Sequence, residues 1–451
     1  MSGLVEGFLA VHIQDPRVLA IAYACGASAS LFVALRRRPH RLRQVVIASA
    51  AGSAVGVAAL WLVEGPLNLT GVPLLWPARY WVLACFAALA VAAAALRRSR
   101  WWHRAVTLAA AAVLVATTGL GINAVYGVNQ TMAAALGLSA GTPIALPPTA
   151  DLSALLPVVP RNPFGHRRIR PDSPLPLAVT WRPPSDLPAA GRVGTVVIPG
   201  TVSGFTARPA GIYLPPAALV AHPPPLPVVV FMFGQPGSPD TFLARESLDA
   251  LARQHHGLAP IVVVADQLGS PGQDTLCLNT PTYGNVETYI DTDVVSWVRH
   301  HLNVSPLRSA WTVAGFSNGA QCAVSFAAKH PETWGNLVSI SGEAFPGFEH
   351  QSQTLADIFH GNQAAYDAQK PVTLLGRRLR LVGNAFFSYG SNDDYFAPGV
   401  VRVIAAARAA GLHVTVDVIP QGGHVEPALS LGNAAAMAWL YPRLGLAAPR
   451  G

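Results

Sequence analysis

Trp311-Thr312-Val313-Ala314-Gly315-Phe316-Ser317-Asn318-Gly319 carries more information than any other segment of this chain. Its first four residues include three β-formers, Trp311, Thr312 and Val313, which predicts a buried strand. The residues after Ser317 run without proline to His330 and predict a helix. Between them lies Gly-x-Ser-x-Gly, a pattern whose glycines permit a turn sharp enough to lift a serine hydroxyl clear of a sheet. The N–H of Asn318, at the helix N-terminus, then faces the site of reaction as one oxyanion donor. A Gly-rich turn with no chemistry is the competing reading. The strand–turn–helix setting favours Ser317 as a nucleophile.

Working outward from Ser317, the pattern alternates between strand and helix. Val228–Phe233, Ile261–Ala265, Leu337–Ile340, Leu381–Tyr389 and Val414–Ile419 read as further buried strands. Helical stretches near Thr241–His255, Tyr289–His301 and beyond Glu426 separate or follow them. Such alternation implies an α/β fold, a mostly parallel sheet with helices on both faces. Thr195–Ile198 and Gly211–Leu214 fit antiparallel edge strands. The strand Ile261–Ala265 is expected to neighbour the one that leads into Ser317.

A serine needs a base and an orienting acid, which in this architecture follow it in the order Ser, acid, His. Gly390-Ser391-Asn392-Asp393-Asp394 follows one late strand and Gly422-Gly423-His424 follows the next. His424 is therefore the expected base, with His413 placed worse on the preceding strand. Asp393 is the preferred acid and Asp394 the alternative, the other aspartate capping the nearby helix. The second oxyanion donor should lie in Gly234-Gln235-Pro236-Gly237-Ser238-Pro239. Pro236 has no N–H, which leaves Gln235; a purely structural turn is the alternative.

The first part of the chain is of another kind. Of the 451 residues 51% are hydrophobic and only 12% charged, and mean hydropathy is +0.36. The excess is concentrated in Val18–Leu35, Val45–Val63, Ala78–Leu96 and Ala105–Tyr126. Each approaches the ~20 residues that cross a ~30 Å hydrocarbon layer, and none has a polar face for water. Asp15-Pro16 reads as the first helix start, and Tyr80, Trp81, Trp101 and Trp102 lie near span ends, where amphipathic rings prefer the interface. Arg36, Arg37, Arg38, Arg41 and Arg43 fill the first connecting loop, and Arg97, Arg98, Arg100 and Arg104 the third. The second has Glu64 and no base before Arg79. By the positive-inside rule the first and third loops are cytoplasmic, and everything after residue 126 is outside. The basic cluster follows the first apolar run, which argues against a cleaved signal peptide.

These loop arginines more than account for the net charge of +8, so nucleic acid is excluded as the expected partner and anionic membrane lipids are favoured. Residues 127–190 hold Pro147-Pro148, Pro157, Pro160, Pro163, Pro171, Pro174, Pro176 and Pro183-Pro184, and read as an extended linker. The expected organisation is a four-helix transmembrane anchor (1–126), a Pro-rich linker (127–190) and a catalytic domain (191–451). No helix-spaced His/Cys/acid set suggests a metal.

Several of these motifs together resemble the putative-esterase group of α/β-hydrolases, which includes esterase D-like enzymes and the antigen 85 mycolyltransferases. The resemblance rests on Gly234–Pro239, the Gly315–Gly319 turn, Cys322 and Gly422-Gly423-His424. Ser203-Gly204-Phe205-Thr206-Ala207-Arg208 and Tyr213-Leu214-Pro215-Pro216 look like exported actinobacterial members with N-terminal spans. It covers about residues 190–445 and implies an α/β-hydrolase fold and a cofactor-free serine carboxylesterase. Mycolyltransferases use a glutamate as triad acid, whereas this chain offers aspartates, which favours hydrolysis over acyl transfer. The expectation is a multi-pass cell-membrane protein with its hydrolase domain outside, acting on lipid-like or cell-envelope esters. An acyltransferase and a non-catalytic membrane module are the rivals.

Of four cysteines, Cys25 and Cys85 fall in apolar spans, leaving Cys277 and Cys322 for the catalytic domain. In an oxidising compartment such a pair tends to be bonded. A Cys277–Cys322 bridge would tie a long loop to the helix after Ser317, worth on the order of 3–4 kcal/mol by chain entropy.

Overall fold

The computed structural model describes residues 2–35, 42–70, 73–96, 100–127, 129–136, 141–147, 175–377 and 381–447. The chain divides into two units, Met1–Ala140 and Gly141–Gly451.

The first unit is built on four helices, α1 (Pro16–Leu35), α2 (Leu42–Glu64), α3 (Trp76–Leu96) and α4 (Trp101–Tyr126). All four are long and apolar enough to cross a membrane. Pro16 opens α1, and the Asp15 carboxylate accepts the Arg17 N–H at 2.7 Å. Helix α2 packs on α3, α3 on α4, and α4 on α1. Small residues permit these approaches: a Cβ on Gly52 would overlap the Phe86 carbonyl, and one on Gly121 the Trp81 indole. Thr117 Oγ1 donates to the Ala22 carbonyl across α4 and α1 at 3.1 Å. Leu42, Trp61 and Trp101 instead face outward.

A polar network joins the chain before α1, the α2–α3 connection and the end of α4. Arg79 forms a two-pronged bond to Glu64, at 3.1 and 2.7 Å, and Tyr126 Oη accepts the Leu75 N–H. Gln14 donates to the Asn123 carbonyl. Of the arginines in the first and third loops, Arg36, Arg37, Arg38, Arg41, Arg97 and Arg98 lie outside the described residues.

The second unit holds an eight-stranded sheet. Its strands are β1 (Arg192–Val196), β2 (Ala210–Leu214), β3 (Val228–Met232), β4 (Ile261–Val264), β5 (Trp311–Phe316), β6 (Asn336–Ile340), β7 (Asn384–Gly390) and β8 (His413–Ile419). Their order is β1-β2-β4-β3-β5-β6-β7-β8. Strand β2 runs antiparallel to β1 and β4, and the remaining pairs are parallel. Strands buried on both faces explain the unbroken apolar runs. Helices α5 (Phe242–Gln254) and α8 (Ala428–Arg443) pack together as one group. Helices α6 (Asn318–Lys329) and α7 (Ala397–Ala409), bridged by Pro371–Gly376, form the other. This is the α/β-hydrolase fold.

Two expectations need correction. Strand β4 does not neighbour β5, because β3 lies between them and pairs with both. Chain order misleads here: the α5 crossover returns β4 to the far side of β3, and the next connection carries the chain back across it. The predicted helix over Tyr289–His301 is widened to a π-helix at Tyr289–Val294. Its acids face tertiary partners, Asp291 accepting from Trp334 Nε1 and Asp293 from the N–H groups of Val202 and Ser203.

Residues 129–136 of the connector bond to the chain before α1, as Ile13 N–H to Gln130 and Met132 N–H to Val11 show, whereas residues 141–147 and 175–190 pack within the second unit. Thr142 and Ile144 exchange backbone bonds with Thr195, and Trp181 Nε1 donates to the His256 carbonyl. Residues 148–174, with six of the connector's twelve prolines, lie outside the described residues.

Candidate active site

The site forms where β5, β7 and β8 end. Ser317 has φ +53° and ψ −117°, a conformation rare for a side-chain-bearing residue. Both flanking glycines are sterically required. A Cβ on Gly315 would overlap the Gly319 carbonyl, and one on Gly319 the Met232 carbonyl. With the Gly319 N–H bonded to the Phe233 carbonyl at 3.1 Å, the turn is clamped against the end of β3.

Ser317 Oγ lies 2.8 Å from His424 Nε2. His424 Nδ1 lies 2.9 Å from Asp393 Oδ2. The other Asp393 oxygen accepts the Phe396 N–H at 3.0 Å. Asp393 is buried, and Phe396 stacks on the imidazole with ring centroids 3.8 Å apart. The loops carrying acid and base are packed as one body: Asn392 N–H bonds to Gly422, and a Cβ on Gly390 would overlap the Gly422 and Gly423 carbonyls.

Asp394 is exposed, and the polar partners of His424 are Asp393 and Ser317. Its expected capping role falls instead to Asp393, which holds the imidazole with one oxygen and the start of α7 with the other. His413 begins β8, a full strand away from the site.

Asn318 is buried at the first position of α6. Its side chain donates to Asp274 Oδ1 at 3.0 Å and approaches Gln267 Nε2 at 3.3 Å. Gln235 follows Gly234, where a Cβ would sit 2.9 Å from Ser317 Cβ. Among the described residues no protein acceptor takes the N–H of Asn318 or Gln235. Gln235 Nε2 donates to the Gly272 carbonyl.

Cys277 and Cys322 are joined as a disulfide with Cα atoms 5.5 Å apart. It ties the loop that carries Asp274 to α6. Among the described residues no group of three or more His, Cys, Asp or Glu is arranged to hold a metal.

Sequence reasoning passed over a second set of polar groups. Asp274 lies after β4, Glu343 after β6, and Glu349 six residues further on. Burial and the charge of Asp274 push the Glu349 carboxyl up to about 7. Burial, then Asp274 and Glu349, push Glu343 well above the usual carboxylate range. Their positions past the carboxyl ends of parallel strands, where such folds bind ligands, were the available signal.

Residues 206–397 match the family profile described as Putative esterase. A protein of Corynebacterium glutamicum, itself uncharacterized, is 30% identical over 298 residues, covering 61% of this chain and 70% of that one. The fold is also similar to an S-formylglutathione hydrolase of Agrobacterium tumefaciens (16% identity, 57% of this chain, 97% of that one, TM-score 0.48). A ferulic acid esterase of Anaeromyces mucronatus matches at 13% identity over 59% of this chain and 96% of that one, with TM-score 0.41. The chain belongs to the putative-esterase family of α/β-hydrolases. The protein is a carboxylic ester hydrolase.

Proposed function

We propose that the protein is a membrane-anchored serine esterase whose catalytic unit works outside the cytoplasm, with Ser317, His424 and Asp393 as its triad. One observation carries the assignment of roles: the hydrogen-bonded chain from Ser317 Oγ through His424 to the buried Asp393. His424 Nε2 takes the hydroxyl proton as Oγ attacks the ester carbonyl, and Asp393 holds the tautomer and stabilises the imidazolium. The N–H groups of Asn318 and Gln235 receive the oxyanion, an interaction that is often the largest single contribution. The imidazolium returns its proton to the departing alcohol. Water, deprotonated by the same histidine, then releases the acid from the acyl-enzyme.

Four apolar helices support anchoring in membrane lipid, and the arginine-rich first and third loops support a cytoplasmic placement of those loops. The Cys277–Cys322 pair suits an oxidising compartment. A catalytic unit tethered there would meet lipid-like or cell-envelope esters.

A fluorophosphonate should label wild type and fail to label Ser317→Ala. Equal labelling of both would remove the nucleophile assignment. For location, a reporter fused after residue 130 should be active outside the cytoplasm, and one in the loop Arg36–Arg43 inside. The reverse pattern would place the hydrolase in the cytoplasm.

A further inference from the structure

One loop reaches both of the segments that offer the proposed oxyanion donors. Strand β4 ends at Val264, and the chain continues through the loop Asp266–Leu278. Because β3 lies between β4 and β5, this loop spans the end of β3 to reach the start of α6. Gln267, only 1% exposed, donates through Nε2 to the carbonyl of Phe233, two residues before Gln235, and lies 3.3 Å from Asn318 Oδ1. Both of these neighbours are oxygens, so the nitrogen of the amide is the end that faces them. From the other side, Asn318 Nδ2 donates to Asp274 Oδ1 at 3.0 Å. The Asn318 side chain is thus held at both of its polar atoms.

The loop is itself fixed on several sides. Thr275 Oγ1 donates to the Gln267 carbonyl at 2.6 Å, and the Leu276 N–H to Asp274 Oδ1 at 2.7 Å. The Gly237 N–H bonds to the Pro271 carbonyl at 3.1 Å, beside the bond from Gln235 Nε2 to Gly272 at 2.8 Å. Arg208 joins Asp266, at 3.1 and 2.6 Å, to the Gly237 carbonyl at 2.9 Å. Leu276 and Cys277 have φ of +61° and +53°, values that side-chain-bearing residues rarely adopt, and the bridge to Cys322 pins this turn to α6. Backbone of this kind persists only where its surroundings impose it.

We propose that Gln267 and Asp274 are positioning residues for the oxyanion site, setting the aim of the Asn318 and Gln235 N–H groups without touching the substrate. This rests on Ser317 as the nucleophile and on those two N–H groups as donors. Such donors stabilise the transition state only if they are aimed before its charge develops. A displacement of about 1 Å can cost about 10²-fold in rate. The contacts that hold the flanking backbone therefore govern the rate.

The test uses the full-length protein in detergent, with 4-nitrophenyl butyrate as substrate and an alkyl trifluoromethyl ketone as an analogue of the tetrahedral intermediate. Gln267→Met keeps the length of the side chain but has no N–H to donate. Its kcat should fall about 10–100-fold with KM within about twofold, because acylation and deacylation both pass through an oxyanion. Affinity for the trifluoromethyl ketone should fall by a similar factor, while a fluorophosphonate still labels Ser317 to completion. Asp274→Ala should act in the same direction, and serves if Gln267→Met does not fold. A kcat within about twofold of wild type in either folded variant would overturn the proposal, as would a loss of kcat with analogue affinity unchanged. If both variants unfold, the two residues are structural and the proposal falls. Failure of the underlying reading is seen in wild type itself. Without a fluorophosphonate label the nucleophile is lost, and a trifluoromethyl ketone bound no more tightly than its methyl ketone removes the donors.

Discussion

The two units spend their apolar residues in opposite directions. In β3 every side chain from Val228 to Met232 is buried, because a parallel strand covered on both faces has no solvent side. In the helical unit Leu42 is 72% exposed and Trp101 82%, while Thr107, Thr117, Gly52 and Gly56 are buried. Hydrophobic burial cannot account for that arrangement in water. Close backbone approach and interhelical hydrogen bonds can, if lipid is the solvent, as proposed. Glycine shows the same contrast. Gly52 and Gly121 let helices touch, whereas Gly315 and Gly319 let one strained serine stand clear of a sheet.

If the units divide labour in this way, the largest effects belong to chemistry in the second unit alone. Ser317→Ala or His424→Ala should each reduce ester turnover by about 10³-fold or more, since the members of the proposed triad would act as a unit. Thermal unfolding of either unit should be almost unchanged. A comparable loss of helical-unit stability would break the comparison. Between the aspartates, Asp393→Asn should cost more than tenfold in kcat, because the imidazole loses its orienting partner. Asp394→Asn should stay within about twofold, and pH-stat assays of both variants decide this. A more damaging Asp394→Asn would reassign the acid.

Glycine substitutions sharpen the contrast at the level of stability. Gly319→Ala forces a Cβ into the Met232 carbonyl and should destabilise the catalytic unit by about 1–3 kcal/mol. Gly52→Ala should lower the melting temperature of the helical unit in detergent and leave kcat near wild type. Loss of turnover in Gly52→Ala would show that the two units are coupled.

The smallest effect concerns protons. Burial, the largest influence, raises Asp291 to about 7, against attraction from His330. The folded state therefore holds a proton between pH 4 and 7 that the unfolded state has lost, and stability falls as pH rises through that window. Asp291→Asn should flatten this part of the Tm–pH profile for the catalytic unit. A slope unchanged by the substitution would mean that Asp291 is ionised throughout.

Much of the molecule was legible in the sequence because it depends on local physics. Length and composition mark the four apolar helices, each long and apolar enough to cross a membrane. The turn at Gly315–Gly319 is legible because only glycine tolerates those backbone approaches. The order Ser317, Asp393, His424 follows from loops at the ends of successive parallel strands. Other features were not local. Chain order suggested β4 beside β5, but sheet order depends on which side each crossover returns, and β3 occupies the place between. Nothing in Asp393-Asp394 says which aspartate turns inward; the packing of Gly390 on Gly422 and Gly423 decides it. Asp274 and Glu343 are 69 residues apart in number and unremarkable in composition. Only the fold brings both beside the Ser317 turn, where the Glu343 N–H approaches the Ser317 carbonyl and Asp274 accepts from Asn318.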